Sequence, residues 1–245
     1  TALADSAPYL DEIGIEGVKA GLRDADPLVR MGALGAFEAF DGPTRVQLGS
    51  ILLRDPVRSV RLAAVHQLAI VKTSEMPEQV RSDFELATQE FMATQEHNAD
   101  RPYSHINRGL FWHRQGRFED AEAAYLAALT LEPVSIPAMA NLADLYREWG
   151  RDDRGEVLLR NAVAQTRGSA ELHHALGLLL VRQKKYDEAL PYLRKAASLG
   201  PQDPHLSYVY GFALTSLQQV DEGLRVLTAA QARHPNDREL LHALA

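Results

Sequence analysis

Residues 102–135 read Pro102-Tyr-Ser-His-Ile-Asn-Arg-Gly109-Leu-Phe-Trp112-His-Arg-Gln-Gly-Arg-Phe118-Glu-Asp-Ala121-Glu-Ala-Ala-Tyr125-Leu-Ala-Ala128-Leu-Thr-Leu-Glu-Pro133-Val-Ser135. The same grammar returns three more times before Asp237. A small residue of the first half recurs at Gly109, Ala143, Gly177 and Gly211, always 34 apart. Another follows 12 residues later, at Ala121, Gly155, Ala189 and Gly223, and a third 7 beyond that, at Ala128, Ala162, Ala196 and Ala230. No insertion disturbs the register, and a period of 34 is the length of one helix–turn–helix unit of a solenoid. Helices approach to ~8–10 Å only where small side chains face each other. A large residue at Ala121 or Ala189 is expected to wedge its pair apart.

The punctuation agrees with that period. Ser135, Ser169, Asp203 and Asp237 share one register and read as caps of successive first helices, since a side-chain oxygen there accepts an orphan amide. Pro102, Pro137 and Pro204 fall in the first turn, where a missing amide proton does no harm. Pro133, Pro201 and Pro235 close second helices, with Arg167 standing there in the second copy; Pro191 falls early enough in its helix to be tolerated. Beyond Asp237 a fifth first helix begins, and Ala245 lands where the next small residue belongs.

Upstream lies a weaker repeat with an offset of 31: Leu22 to Leu53, Asp24 to Asp55, Val29 to Val60, Arg30 to Arg61, Ala33 to Ala64, Phe37 to Leu68. Asp-Pro at 26–27 and at 55–56 predicts a helix start each time. Between the two repeat types, Pro77 to Asn98 reads as one helix with Val80, Phe84, Ala87 and Phe91 on one face. Phe84, Ala87 and Phe91 anticipate Phe118, Ala121 and Tyr125 by 34, so this helix carries the pattern of a second helix. Its matching first helix is absent, because Glu75 stands where a small residue is required. No Gly/Ser/Pro-rich hinge marks the junction.

The pattern from Pro102 to Asp237 resembles the tetratricopeptide repeat (TPR) family, on the small residues, on aromatics such as Trp112, Phe118, Tyr125, Tyr146 and Tyr186, and on the closing Pro. Arg117-Phe-Glu-Asp-Ala-Glu-Ala-Ala-Tyr and Lys185-Tyr-Asp-Glu-Ala-Leu-Pro-Tyr-Leu are its best copies. Asp152 and Gly155 depart from it, which makes the second copy's second helix the expected soft point. The upstream pair resembles HEAT repeats, and that resemblance implies an inter-repeat ladder of Asp24, Asp55, Arg30 and Arg61. The pairs read either as structural glue or as a ligand-binding ridge. The whole arrangement, with Leu52-Leu-Arg-Asp-Pro-Val-Arg58 and Asn141-Leu-Ala-Asp-Leu-Tyr146, also resembles the C-terminal part of bacterial multihaem c-type cytochromes. Together these imply an all-α, right-handed α-α superhelical solenoid. Residues 1–76 form HEAT-like repeats, 77–101 a junction half-repeat, and 102–245 four TPRs (102–135, 136–169, 170–203, 204–237) with a truncated fifth.

In TPR arrays the first helices line the concave face. The resemblance places Tyr103, Ile106, Leu110, His113 and Arg114 there, then Asp144 and Arg147 with Pro137, Ala140 and Glu148. The third and fourth copies add His174, Leu178 and Arg182 with Glu171 and Val181, then His205, Tyr208 and Phe212 with Thr215 and Ser216. The clamp by which chaperone-binding members grip a C-terminal carboxylate maps to Ile106, Leu110, Asn141, Glu171 and Ala175, and only Asn141 fits. The resemblance therefore implies a non-catalytic scaffold that binds a peptide or helical protein segment, with Tyr103, Tyr208 and Phe212 as anchors. The alternatives are a docking module of an exported redox protein and self-association through the end at Ala245.

Composition narrows the classes further. The chain has 245 residues, 46% of them hydrophobic, a net charge of −7 and no Cys. Absence of Cys removes disulfides, thiolate metal sites, cysteine nucleophiles and covalent haem attachment from this segment. Its nearest approach to a basic patch is Arg182, Lys184 and Lys185, too little for phosphate readout, so no nucleic-acid partner is expected. There is no apolar run of the ~18–20 residues that membrane insertion needs. The opening TALADSAPYL has no secretory pattern; the chain reads as a piece of something longer. Adjacent His173 and His174 point ~100° apart on a helix and cannot chelate together. No phosphate loop, nucleophile elbow or His-Glu-x-x-His occurs, so catalytic residues, metal ligands and cofactors are expected to be none. A bacterial origin is expected; the compartment is periplasmic if the cytochrome resemblance holds and cytoplasmic otherwise.

Overall fold

Alternation of amphipathic stretches with Pro, Asp and Gly punctuation gives helices throughout. The computed structural model describes residues 12–166 and 168–244, and every regular element among them is helical. Expectations resting on TALADSAPYL, Arg167 and Ala245 lie outside the described residues. The chain divides into two compact units, residues 1–124 and 125–245.

The first unit contains α1 (Glu12–Gly21), α2 (Pro27–Leu34), α3 (Gly42–Gly49), α4 (Arg58–Leu68), α5 (Glu78–His97), α6 (Pro102–Arg114) and the start of α7 (Phe118–Leu131). Asp26 starts α2 by accepting the Leu28 amide at 2.8 Å, and Asp41 starts α3 by accepting that of Thr44 at 2.8 Å. The Asp55-Pro56 start differs from expectation: α4 begins at Arg58, and no side chain caps it. Asp55 stands at the register of Asp24, two residues ahead of the cap position, and each accepts the amide two residues on. Asp55 also takes the Arg30 guanidinium in a bidentate pair, Nε at 2.6 Å and Nη2 at 2.9 Å.

That pair repeats one unit later. Arg61 grips Glu90 of α5 with Nε at 2.8 Å and Nη2 at 2.7 Å. Each arginine spends its remaining nitrogen on the backbone just before its own helix, Arg30 on Asp24 O and Arg61 on Asp55 O. Planar forks matched to carboxylates give direction as well as attraction. Burial pulls the Asp55 carboxyl up, but Arg30 and the Val57 amide outweigh it and hold it below the usual range. The helix after the second arginine is α5, whose Phe84 and Phe91 pack on Phe111 of α6 with ring centroids 6.2 and 5.8 Å apart. Glu75 lies in a three-residue 3-10 turn where a first helix would have stood. Gln115, just past α6, binds the same segment through the Thr73 amide and the Ala69 and Val71 carbonyls.

The second unit holds the rest of α7, then α8 (Ile136–Glu148), α9 (Asp152–Thr166), α10 (Ala170–Arg182), α11 (Tyr186–Leu199), α12 (Pro204–Ser216), α13 (Val220–Arg233) and α14 (Arg238–Ala243). Ser169, Asp203 and Asp237 cap α10, α12 and α14 with their side chains; Ser135 starts α8 without a side-chain bond. A second 34-residue rhythm lies in the backbone: Gly116, Gly150, Lys184 and Gln218 all have φ between 62° and 71°. Each is the reversal between a first and a second helix, and the last two carry the left-handed conformation without glycine's freedom.

Small residues sit where the helices cross. A Cβ on Gly177 would stand 2.5 Å from Leu193 Cδ2, and one on Gly211 2.7 Å from Leu227 Cγ. Leu159, Leu193 and Leu227 occupy one register of successive second helices, and each is buried. At Gly223 the opposing surface is backbone: a Cβ there would meet Gly211 O at 2.9 Å and Thr215 Cγ2 at 2.5 Å. Backbone cannot swing aside as a leucine tip can. Gly223→Ala is therefore expected to destabilise the protein by about 1–3 kcal/mol, read as a lower urea midpoint. An unchanged midpoint would mean the crossing has room to spare.

Candidate partner-binding face

The first helices of the second unit present residues at fixed register, so that positions 34 apart form rows across α8, α10, α12 and α14. One row runs Pro137, Glu171, His205, Glu239; the next runs Ala140, His174, Tyr208, His242. Four aromatic rings meet there in series. His174 lies edge-on to His205 at 5.6 Å, His205 stacks on Tyr208 at 6.1 Å, and Tyr208 stacks on Phe212 at 6.1 Å. Phe212 keeps 57% of its surface exposed. Tyr208 is half-buried, with its inner side against Leu227, Ala230 and Leu240.

Acidic groups border this row. His205 Nδ1 lies 2.8 Å from Glu239 Oε2, and Asp203 accepts the His205 amide. Glu171 stands one helical turn before His174 and makes no ion pair with any described residue; burial pushes its carboxyl up. Burial, helped by the neighbouring His205 and opposed by Asp203, holds the His174 imidazole below the ordinary range, and its Nδ1 has no hydrogen-bond partner.

The remaining expected residues divide by environment. In the second unit Asn141 and Leu178 are half-buried beside this row, and Asp144 and Arg147 pair with each other at 2.6 Å. Arg182 turns to Asp152 at 2.9 Å, away from the rings. In the first unit Tyr103 is 69% exposed and Leu110 half-buried, while Ile106 and His113 are buried. His113 faces the Phe118 ring edge-on, and Arg114 donates to the His66 carbonyl. The resemblance assigned these residues to one face. Packing separates those that offer surface from those that fill the interior. Glu239 was not among the expected residues, because α14 belongs to the truncated copy; its offset of 34 from His205 was the available signal.

Charges elsewhere in this unit serve cohesion. Lys185 Nζ and Arg160 Nη2 both reach Glu156, at 2.8 and 2.9 Å, and Arg160 also meets Glu188. Two members of the short basic cluster, Arg182 and Lys185, are thereby engaged by acids of α9. Among the described residues no helix is long and apolar enough to cross a membrane.

Comparison with known proteins places these features in a wider set. Family models described as tetratricopeptide repeat match residues 79–136 and 140–204, and residues 180–245, together more than half of the chain. The first of these matches takes in α5. The chain is 24% identical over 131 residues to the TPR repeat-containing protein YpiA of Bacillus subtilis, covering 54% of this chain and 31% of that protein. It is 31% identical over 121 residues to human anaphase-promoting complex subunit 7, covering 49% of this chain and 20% of that one. It thus spans less than a third of either relative. The solved structure of MamA residues 41 to the end from Desulfovibrio magneticus RS-1 superimposes with a TM-score of 0.50 at 14% identity, over 80% of this chain and 97% of that one, which speaks for the fold.

The Glu156 network has a pH signature. Hydrogen bonding to Lys185 leads, burial opposes it, and Arg160 and Gln183 add, bringing the carboxyl to about 2. A depressed folded value contributes stability that is complete above the unfolded value of about 4.3 and is lost as the pH falls through the folded one. Glu156→Gln is expected to lower the urea midpoint at pH 7 and to flatten its decline between pH ~5 and ~2. An unaltered slope would remove Glu156 from the acid response.

Proposed function

The chain belongs to the tetratricopeptide repeat family, and we propose that it is a non-catalytic scaffold holding a peptide or helical segment of a protein partner on the first-helix face of its second unit. Members of this family act as protein-interaction scaffolds. What supports the site is the ring row His174, His205, Tyr208 and Phe212. Large, stiff side chains on rigid helices give contact area at little entropic cost, and exposed aromatics are where interface energy concentrates. Asn141, Leu178 and the Asp144–Arg147 pair extend the face. Tyr103 offers a separate exposed ring in the first unit.

On this reading residues 1–76 are HEAT-like repeats, 77–101 a half-repeat, and 102–245 the TPR array. The Arg30–Asp55 and Arg61–Glu90 pairs favour structural glue over a ligand-binding ridge, since both forks are saturated within the unit.

The test is selection of a displayed random-peptide library on the full chain, followed by affinity measurement with the recovered peptides. Phe212→Ala is expected to weaken binding about tenfold or more with the far-ultraviolet circular dichroism unchanged, because that ring is mostly exposed. Tyr208→Ala should weaken it likewise. Peptides that bind both variants as tightly as the wild type would move the site off this face.

A further inference from the structure

The ring row carries more chemistry than apolar area. Its outer border holds two carboxylates, Glu171 and Glu239, in the same register of α10 and α14, on either side of His205. Glu171 has no ion pair, and Arg182, the cation of the same helix, is held by Asp152. Glu239 spends one oxygen on His205. Both carboxylates are exposed beside the rings, where their charge is open to an incoming cation that can hydrogen-bond to them.

The rings set the form of that cation. His205, Tyr208 and Phe212 lie with planes only 28° and 24° apart in successive pairs, and Phe212 keeps an open surface. Nearly parallel aromatic faces suit a flat, delocalised cation that can stack on a ring and still direct N–H groups sideways at a carboxylate. An ammonium group is a strongly hydrated point charge and gains less from such faces. The protein's own Arg117 shows the contact in the first unit, its guanidinium 4.0 Å over the Trp112 ring.

We propose that the row formed by Glu171, His205, Tyr208, Phe212 and Glu239 receives an arginine side chain of the partner. The guanidinium lies against the Tyr208–Phe212 surface and its fork faces the carboxylate border. This rests on the reading of that face as the partner-binding one, and it adds the chemistry of the residue that docks there.

The experiment reads the composition of peptides selected on the full chain. Arginine is expected to be enriched at one fixed position. Replacing it by citrulline, which keeps the shape and loses the charge, is expected to weaken binding about tenfold, and replacement by lysine to weaken it by a smaller factor. The surface variant Glu171→Lys with Glu239→Lys, checked for unchanged thermal unfolding, is expected to lose the arginine peptides and to select acidic ones. Peptides that are sensitive to Phe212→Ala but carry no arginine preference, or that tolerate citrulline, would overturn the arginine proposal and leave the face standing. Peptides insensitive to Phe212→Ala would overturn both. Arginine peptides that bind the double lysine variant with full affinity would also overturn it, because the carboxylates would then play no part.

Discussion

The second unit depends on helix crossings that leave no room for a side chain. At Gly177 and Gly211 the opposing leucine occupies the volume a Cβ would need, and at Gly223 the opposing group is the Gly211 carbonyl. Close approach brings the buried row Leu159, Leu193 and Leu227 into the gap and fixes the angle between first and second helix. Once that angle is repeated every 34 residues, first-helix side chains at one register fall into rows. Rows of rings and carboxylates are a consequence of the crossings.

Cohesion in the first unit has a different source. There the repeating link is a bidentate arginine, Arg30 to Asp55 and Arg61 to Glu90, each also tied to the backbone at its own helix start. Because the acceptor in the second rung is Glu90 of α5, the ladder ends on the helix whose phenylalanines pack on Phe111. Such pairs make register specific: a shifted helix would leave a buried charge unmatched, which costs more than the pair contributes. In the second unit Glu171 has no ion pair on the ring-bearing face, but it is exposed, so solvent meets its charge.

The helices and their register were legible in the sequence because small residues at 34 residues' spacing admit few alternatives. The helix α5 was legible through Phe84, Ala87 and Phe91. Other features were hidden for definite reasons. Asp55-Pro56 looks like a helix start, yet α4 begins three residues on at Arg58, and the pairing of Asp55 with Arg30 comes only from the fold. Ser135 shares its register and its residue type with Ser169, yet only Ser169 accepts an amide of its helix, a difference the sequence does not carry. Gly116 and Gly150 hint at a left-handed turn, whereas Lys184 and Gln218 conceal it. For the candidate face, the resemblance assigned positions on the first helices but could not tell the enclosed Ile106 and His113 from the open Tyr103 and Phe212, since exposure depends on the neighbouring helix.

The central claim is the direct contact between glycine backbone and leucine side chain at successive crossings. Nuclear Overhauser spectroscopy on methyl-labelled protein tests it without mutation. Cross-peaks are expected from the Gly177 Hα protons to the Leu193 methyls and from those of Gly211 to the Leu227 methyls, as both pairs stand in van der Waals contact. Absence of both sets of cross-peaks, with the methyl resonances assigned, would contradict the account.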